Sequence, residues 1–179
     1  MKRVLILSAS PRAGGNTELL CDAVAEGVRS AGGEPVRLDV GRMKIAPCTG
    51  CDVCRRTGVC VQKDDMAEVI AEISRADAVV FGSPVYMYNL SAQLKAVMDR
   101  CYQIYPGGLS GRKTALVAVA GGDAIEETAI IPSYRGFLAC FREVEDLGAV
   151  TAVCGNARGA VAGLPAMDEA QSLGARLCR

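Results

Sequence analysis

Short aliphatic runs alternate along this chain with segments whose apolar residues recur at helical spacing. The aliphatic runs predict strands at residues 4–8, 35–39, 78–82, 114–120 and 149–153. Parallel strands need long crossover connections, and a helix between successive strands provides one. Strands that alternate with helices therefore indicate a parallel sheet. The first run has no polar alternation, which predicts a strand buried on both faces. The pattern therefore favours an α/β fold, a flavodoxin-like doubly wound sheet of five parallel strands with helices on both faces.

The predicted helices are bounded by glycine, proline and small polar residues. One helix follows the first strand and ends near Gly32, and a later one is predicted from Pro132 to Gly148. Others are predicted to begin near Met66, Ser91 and Met167. A chain of 179 residues, half of them hydrophobic, is long enough for one substantial core. We therefore expect a single domain over residues 1–179, with a cysteine-rich insertion at about 46–63.

Charge and cysteine usage count against several classes of protein. Twenty basic and twenty acidic residues cancel, so no net field favours nucleic acid or an anionic membrane as a partner. The N-terminal apolar run is too short for a secretory signal, and no other run is long enough to cross a bilayer. Nine cysteines, an odd number, suit a reducing compartment better than a disulfide framework. The expected location is the cytoplasm.

Four of the cysteines stand within thirteen residues, in a chain without histidine. They form a C-x2-C-x2-C-x5-C array of Cys48, Cys51, Cys54 and Cys60. Four thiolates on short loops suit an iron–sulfur cubane, whereas zinc sites usually pair two separated C-x2-C units or recruit histidine. The five-residue last gap and Val61 after it depart from the bacterial ferredoxin run. The array favours a [4Fe–4S] cluster; free or disulfide-capable cysteines stay open as the alternative, and zinc ranks third.

A small, polar, glycine-rich loop follows the first predicted strand and leads into a helix. In doubly wound sheets, ligands bind at the carboxyl ends of the strands, where this loop lies. The helix amides, the hydroxyls of Ser10 and Thr17, the Asn16 amide and the Arg12 guanidinium could surround a phosphate. An ordinary loop with Asn16 or Thr17 as a helix cap is the alternative.

The loop sequence S-x-S-P-R-x-x-G-N-T at residues 8–17 resembles the FMN-phosphate loop of the NADPH-dependent FMN reductase and iron–sulfur flavoprotein family. The resemblance extends over nearly the whole chain. Residues 82–89, G-S-P-V-Y-M-Y-N, resemble the loop that flanks the isoalloxazine, and 121–123, G-G-D, the loop at the flavin's pyrimidine edge. The cysteine array falls where iron–sulfur flavoproteins carry their cluster motif. Ala9 departs from the glycine usual at that position in the family.

The resemblance implies FMN as the cofactor and a set of residues that hold it. A flavin needs an anion socket, flat cover for its ring, and backbone donors near its N1 and O2 atoms. We identify no catalytic acid or base, because flavin chemistry needs chiefly a positioned cofactor and donor. Besides Ser10, Arg12, Asn16 and Thr17, the implied FMN contacts are Pro84, Val85, Tyr86, Met87, Asn89, Gly121, Gly122 and Asp123.

Two other motifs are set aside. Residues 107–114 resemble a P-loop, but Arg112 interrupts the required Gly-Lys step and a strand follows where a helix is needed. Asp64 and Asp65 could form a carboxylate pair for a metal. Their place just before an amphipathic helix favours a capping role.

Three function classes follow from these motifs. The leading one is an FMN-dependent oxidoreductase of the iron–sulfur flavoprotein type, relaying electrons from NAD(P)H or a ferredoxin-like protein to a small acceptor. The second is a cluster-free NAD(P)H-dependent FMN or quinone reductase. The third is a non-enzymatic flavodoxin-like carrier, which the balanced charge disfavours. The resemblance also implies a homodimer or homotetramer, with surfaces near the cysteines and near residues 102–108.

Overall fold

The computed structural model describes residues 1–122, 125 and 128–179, and it contains the predicted parallel sheet. Five parallel strands lie in the order β2-β1-β3-β5-β6, and the short β4 pairs with β3 in antiparallel fashion. The prediction of a doubly wound sheet is confirmed, with one two-residue strand more than expected. The strands are β1 (Arg3–Ser8), β2 (Glu34–Leu38), β3 (Ala78–Tyr86), β4 (Asn89–Leu90), β5 (Lys113–Ala120) and β6 (Glu145–Val153).

Helices cover both faces of this sheet. Val4 and Ile6 of β1 face a core shared with α1 and α6, whereas Leu5 and Leu7 face a core shared with α3, α4 and α5. All four side chains are buried, as the unbroken aliphatic run predicts. The helices are α1 (Asn16–Ser30), α2 (Val53–Thr57), α3 (Met66–Arg75), α4 (Ala92–Arg100), α5 (Ile130–Leu138) and α6 (Pro165–Leu177), and a 3₁₀ turn, Cys101–Ile104, follows α4.

The helix predicted from Pro132 to Gly148 is wrong at its C-terminal end, because α5 ends at Leu138. Phe141 nevertheless packs edge-on against Phe137, with ring centroids 5.1 Å apart, so tight turns bury the apolar residues that suggested a longer helix. Gly148 lies within β6, where the pairing with β5 shifts register, and it has a φ of +94°. This glycine permits a strand irregularity and does not stop a helix.

The carboxyl ends of the parallel strands meet at one edge of the sheet. Loops that follow β1, β3, β5 and β6 therefore gather there, at the position where ligands bind in folds of this class. The cysteine segment follows β2 at the sheet margin and returns to α3. No helix in the described part of the chain combines the length and the apolar character needed to cross a membrane.

Candidate functional site

The loop between β1 and α1 forms a polar socket at the positive end of a helix. Ser10 and Thr17 are each only 3% exposed, and the Ser10 Oγ accepts a hydrogen bond from the Arg12 N–H at 3.2 Å. Gly15 stands at the N-cap and supplies no side-chain cap. The first-turn amides of α1 therefore lack a side-chain acceptor at the cap, which leaves them suited to an anion.

Asn16 ties this socket to the loop after β6. Its Nδ2 donates to the backbone oxygens of Ala157 at 2.9 Å and Gly155 at 3.5 Å. Its Oδ1 is buried and has no hydrogen-bond partner among the described residues. An oxygen acceptor suits a ligand hydroxyl better than a phosphate oxygen. The structure thus indicates that Asn16 joins two loops and leaves one acceptor for the ligand.

Gly41 allows the chain after β2 to pass directly beneath the socket. A Cβ atom at this position would lie 2.3 Å from the Ser10 carbonyl oxygen and 2.4 Å from its carbon. The Gly41 N–H also donates to the Ser8 carbonyl at 3.0 Å. Sequence reasoning missed this residue, because the close approach joins segments about thirty residues apart and has no local pattern.

The socket is part of a narrow cleft that extends toward β3 and β5. A cavity of about 50 Å³ brings the four predicted phosphate residues together with Pro84, Val85, Tyr86 and Gly121. A second cavity of about 180 Å³ shares Val85 and Gly121 with it and adds Met87 and Gly122. Most of the predicted FMN residues therefore line one continuous region. Lining residues not predicted from the sequence are Gly15, Tyr88, Val119, Ala120, Thr128, Gly155 and Asn156.

Gly155 and Asn156 belong to the loop after β6, for which the sequence analysis predicts no role. A Cβ on Gly121 would lie 2.7 Å from the Asn156 Oδ1, so the two loops are in close contact. The signal available in the sequence was positional: a loop bounded by Gly155 and Gly159 follows a parallel strand.

A tight hairpin between β3 and β4 places apolar side chains beside the second cavity. Met87 and Tyr88 both have positive φ, +46° and +60°. Side chains disfavour this region by roughly 1–2 kcal/mol per residue, and such strain is concentrated at functional sites. Met87 is 96% exposed, and the Tyr88 carbonyl accepts from the Ala129 N–H at 2.7 Å. The strained turn projects a flexible apolar side chain at the mouth of the cleft.

Two predicted FMN contacts are not placed in this cleft. Asn89 lies in β4, where its Oδ1 accepts from the Leu90 N–H at 2.8 Å, and it lines neither cavity. Asp123 lies outside the described residues.

The four cysteines of the array lie on the exposed loop that contains α2, and all are free thiols. Burial raises the pKa of Cys54, and Cys60, Cys48 and Cys51 raise it further. The Val53 N–H and the Thr49 hydroxyl lower the pKa of Cys51. No three metal-ligating side chains in the described ranges are close enough to hold a single ion. A cubane spreads its ligands more widely than one ion does, so the four thiols suit a cluster by donor chemistry.

Both ends of the cysteine loop are anchored to Arg100 at the end of α4. Its Nη1 and Nη2 donate to the two Asp64 carboxylate oxygens at 2.8 and 2.9 Å, and Nη1 also donates to the Ala46 carbonyl. Asp64 in turn accepts from the Ala46 N–H at 3.0 Å and from the Met66 N–H at the start of α3, in keeping with the predicted capping role, whereas Asp65 at the N-cap makes no side-chain capping bond. Arg100 is the chief cause that lowers the pKa of Asp64 to about 2.

The middle of the loop rests on the 3₁₀ turn. Arg55 lies over the rings of Tyr102 and Tyr105, 5.4 and 5.2 Å from their centroids, and donates to the Tyr105 carbonyl. The Tyr102 hydroxyl donates to Asp52 at 3.0 Å. Cation–π contacts of this kind orient α2 against the domain.

The sequence model of the NADPH-dependent FMN reductase family matches residues 2–141. The chain belongs to this family. It is 35% identical to an iron–sulfur flavoprotein of Methanocaldococcus jannaschii over 138 residues, which are 76% of this chain and 72% of that one. It is also 42% identical over 100 residues to an iron–sulfur flavoprotein of Archaeoglobus fulgidus, which is 56% of this chain and 45% of the relative. The chain thus spans less than half of this second relative.

Solved structures support the fold assignment. The chain aligns with an NAD(P)H:quinone oxidoreductase from Methanothermobacter marburgensis with a TM-score of 0.71 and 22% identity, covering 99% of this chain and 98% of that one. An azoreductase from Bacillus anthracis aligns with a TM-score of 0.66 and 17% identity over 99% of both chains. The family assignment makes the protein a flavin-dependent oxidoreductase, with FMN and NAD(P)H as the cofactors of its family.

Proposed function

We propose that the protein relays electrons between a reduced donor and a small acceptor through FMN and a [4Fe–4S] cluster. The donor is NAD(P)H or a small redox protein of the ferredoxin type. The observation that carries this proposal is the array of four free thiols, Cys48, Cys51, Cys54 and Cys60, on one loop of a chain that belongs to an FMN reductase family. The names of the M. jannaschii and A. fulgidus relatives support it.

The FMN phosphate would lie at the N-terminus of α1. The amides of the first turn, the Ser10 and Thr17 hydroxyls and the Arg12 guanidinium are the donors there. The Asn16 Oδ1 would accept from a hydroxyl of the ribityl chain. Pro84, Val85 and Tyr86 would cover the ring, with Met87 at its open side and the Gly121–Gly122 backbone at its edge. Bound FMN supplies both two-electron and one-electron chemistry, and the chain positions it.

The cluster would be held by Cys48, Cys51, Cys54 and Cys60. Iron–sulfur ligation requires thiolates, and the N–H and hydroxyl donors at Cys51 favour its ionised form. A cluster transfers single electrons, so its presence beside a flavin suits exchange with a one-electron protein partner.

A cluster-free NAD(P)H-dependent FMN or quinone reductase is the second candidate. The exposure of Cys48 and Cys51, which leaves them open to oxidation, favours it. An NAD(P)H dehydrogenase (quinone) of Trichlorobacter lovleyi is 27% identical over 109 residues, 58% of this chain and 52% of that one.

The proposal includes assembly into a homodimer or homotetramer. A groove of about 470 Å³ lies between α4, the 3₁₀ turn and α5, lined by Met98, Tyr102, Tyr105, Phe137 and Phe141 among others. Tyr102 and Tyr105 are partly exposed there, which supports a contact between subunits in the predicted region.

Anaerobic purification followed by cofactor analysis distinguishes the two candidates. The proposal predicts stoichiometric FMN together with iron and acid-labile sulfide in the ratio of a [4Fe–4S] cluster. A protein that contains FMN but no iron, even after anaerobic reconstitution with iron and sulfide, would select the cluster-free reductase. Failure to bind FMN would exclude both.

A further inference from the structure

Arg100 is buried more completely than loop anchoring explains. Its side chain is 1% exposed, although it ends a surface helix. Its Nη1 donates to Asp64 and to the Ala46 carbonyl, and its Nη2 donates to Asp64. The Nε atom is buried and has no hydrogen-bond partner among the described residues. A buried N–H that lacks an acceptor is costly, so this donor indicates an acceptor that completes it.

Cys60 is the nearby group that can serve as this acceptor. It lines, together with Arg100 and Asp64, a cavity of about 280 Å³ beside the start of α3. The pKa of Arg100 is raised, first by its hydrogen bonds to Asp64 and to a lesser degree by the nearby charge of Cys60. A thiolate accepts such a bond better than a thiol does, because its charge is not neutralised by a proton.

The other cationic side chain in this cavity does not replace Arg100. Lys63 also lines it and belongs to the cysteine loop itself, but the described hydrogen bonds and ion pairs do not join its side chain to Ala46 or Asp64, whereas Arg100 contacts both. The Asp64 carboxylate fixes the plane of the guanidinium through two hydrogen bonds, so the direction of the Nε–H is set before any ligand binds.

We propose that Arg100 is a positioning residue for the cluster ligand Cys60, with the Nε–H donating to its thiolate sulfur. This inference rests on the proposed function. A cation and a hydrogen-bond donor next to a ligand sulfur stabilise the reduced, more negative cluster. Arg100 therefore raises the reduction potential of the cluster and orients one of its ligands, while Asp64 holds Arg100 in place.

Four variants separate this role from simple loop anchoring. Arg100→Gln removes the charge and the Nε donor. Arg100→Lys retains the charge but loses the planar guanidinium and its paired donors. Asp64→Asn weakens the ion pair that holds Arg100 but keeps the arginine. Arg112→Gln is the matched control. Like Arg100, Arg112 anchors backbone carbonyls through its guanidinium, but its partners, Ala76, Gly108 and Ser74, lie away from the cysteines. Iron and sulfide per FMN and the midpoint potentials of cluster and flavin are measured anaerobically.

The Arg100→Gln cluster is expected to be about tenfold harder to reduce, a decrease of about 59 mV for one electron. The flavin potential of Arg100→Gln and the cluster potential of Arg112→Gln should equal those of the wild type. The cluster potential of Arg100→Lys should fall between those of the wild type and Arg100→Gln. If Arg100→Gln loses its iron, the role is supported when Asp64→Asn retains iron.

Two results would overturn the inference and leave the proposed function standing. One is an Arg100→Gln protein with full iron content and an unchanged cluster potential. The other is an equal loss of iron in Arg100→Gln and Asp64→Asn. Absence of iron from the reconstituted wild type overturns the proposed function itself, and the inference with it.

Discussion

The proposed FMN cleft and the cysteine loop are built in opposite ways. The cleft takes its residues from loops at the ends of four parallel strands, and its hydroxyls on Ser10 and Thr17 are buried. The cysteine loop contains no strand, its one helix has five residues, and Cys48 and Cys51 are exposed. Arg100, Asp64 and the Arg55–tyrosine stack hold it in place.

This difference shows where each site obtains its geometry. The sheet determines the cleft before a ligand binds, because strand ends cannot move independently of the core. A segment with few buried side chains has low local stability, and metal binding itself supplies part of the folding free energy of such a segment. We therefore expect changes in the cysteine loop to affect the metal alone, and changes under the cleft to affect both FMN and the fold.

The largest expected effect is the loss of the cluster in Cys54→Ala. Cys54 lies in α2, within the cysteine loop, and its removal eliminates one of the four proposed thiolate ligands. Iron and sulfide should fall at least tenfold, while FMN stays stoichiometric. Cys140→Ala, at an exposed thiol outside the loop, is the control and should retain its iron. Unchanged iron in Cys54→Ala would contradict the ligand assignment.

Gly41→Ala tests whether the cleft depends on the fold beneath it. The added methyl would press on the Ser10 backbone, 2.3 Å from its oxygen, and should displace the phosphate socket. We expect a decrease of about 1–3 kcal/mol in the free energy of unfolding, measured by urea denaturation, and FMN binding weakened about tenfold or more.

Gly136→Ala is the matched control for Gly41→Ala. Its Cβ would meet open space on α5, so FMN affinity should not change and stability should rise by about 0.5–1 kcal/mol. Equal FMN affinity in the two variants would show that the socket does not require the close approach of Gly41.

Arg12→Gln separates the phosphate contact from the ring contacts. Arg12 is exposed at the socket, so its removal should leave the fold intact and weaken FMN binding about tenfold, the order expected for one hydrogen bond to a charged group. Riboflavin, which has no phosphate, should bind both proteins equally in a fluorescence titration. Arg29→Gln, at the other end of α1, serves as the control. An equal loss of riboflavin affinity would assign Arg12 to a structural role.

The smallest expected effect is the acid response of the loop anchor. The pKa of Asp64 is lowered from 3.8 to about 2, so its contribution to stability is complete above about pH 4 and is lost as the pH falls toward 2. The difference in free energy of unfolding between wild type and Asp64→Asn should shrink over this interval. A difference independent of pH would show that Asp64 does not act through its charge.

Local patterns in the sequence were sufficient to predict the sheet and the position of the loop between β1 and α1. Strand periodicity and the turn residues depend on neighbours within a few positions, and for this reason β1, α1 and the loop between them appear where predicted. The end of α5 was wrong because apolar spacing alone does not distinguish a helix from packed turns, as Phe141 shows.

The sequence by itself determined the family, the alternation of the parallel strands with helices, and which residue types are available for a flavin and a cluster. Only the tertiary structure decided that Gly41 supports Ser10, that Asn16 holds the loop at Ala157, and that Arg100 joins Ala46, Asp64 and the surroundings of Cys60. These contacts connect residues that are distant along the chain, and their existence depends on how the elements pack. The spacing of residues along the chain does not specify that packing.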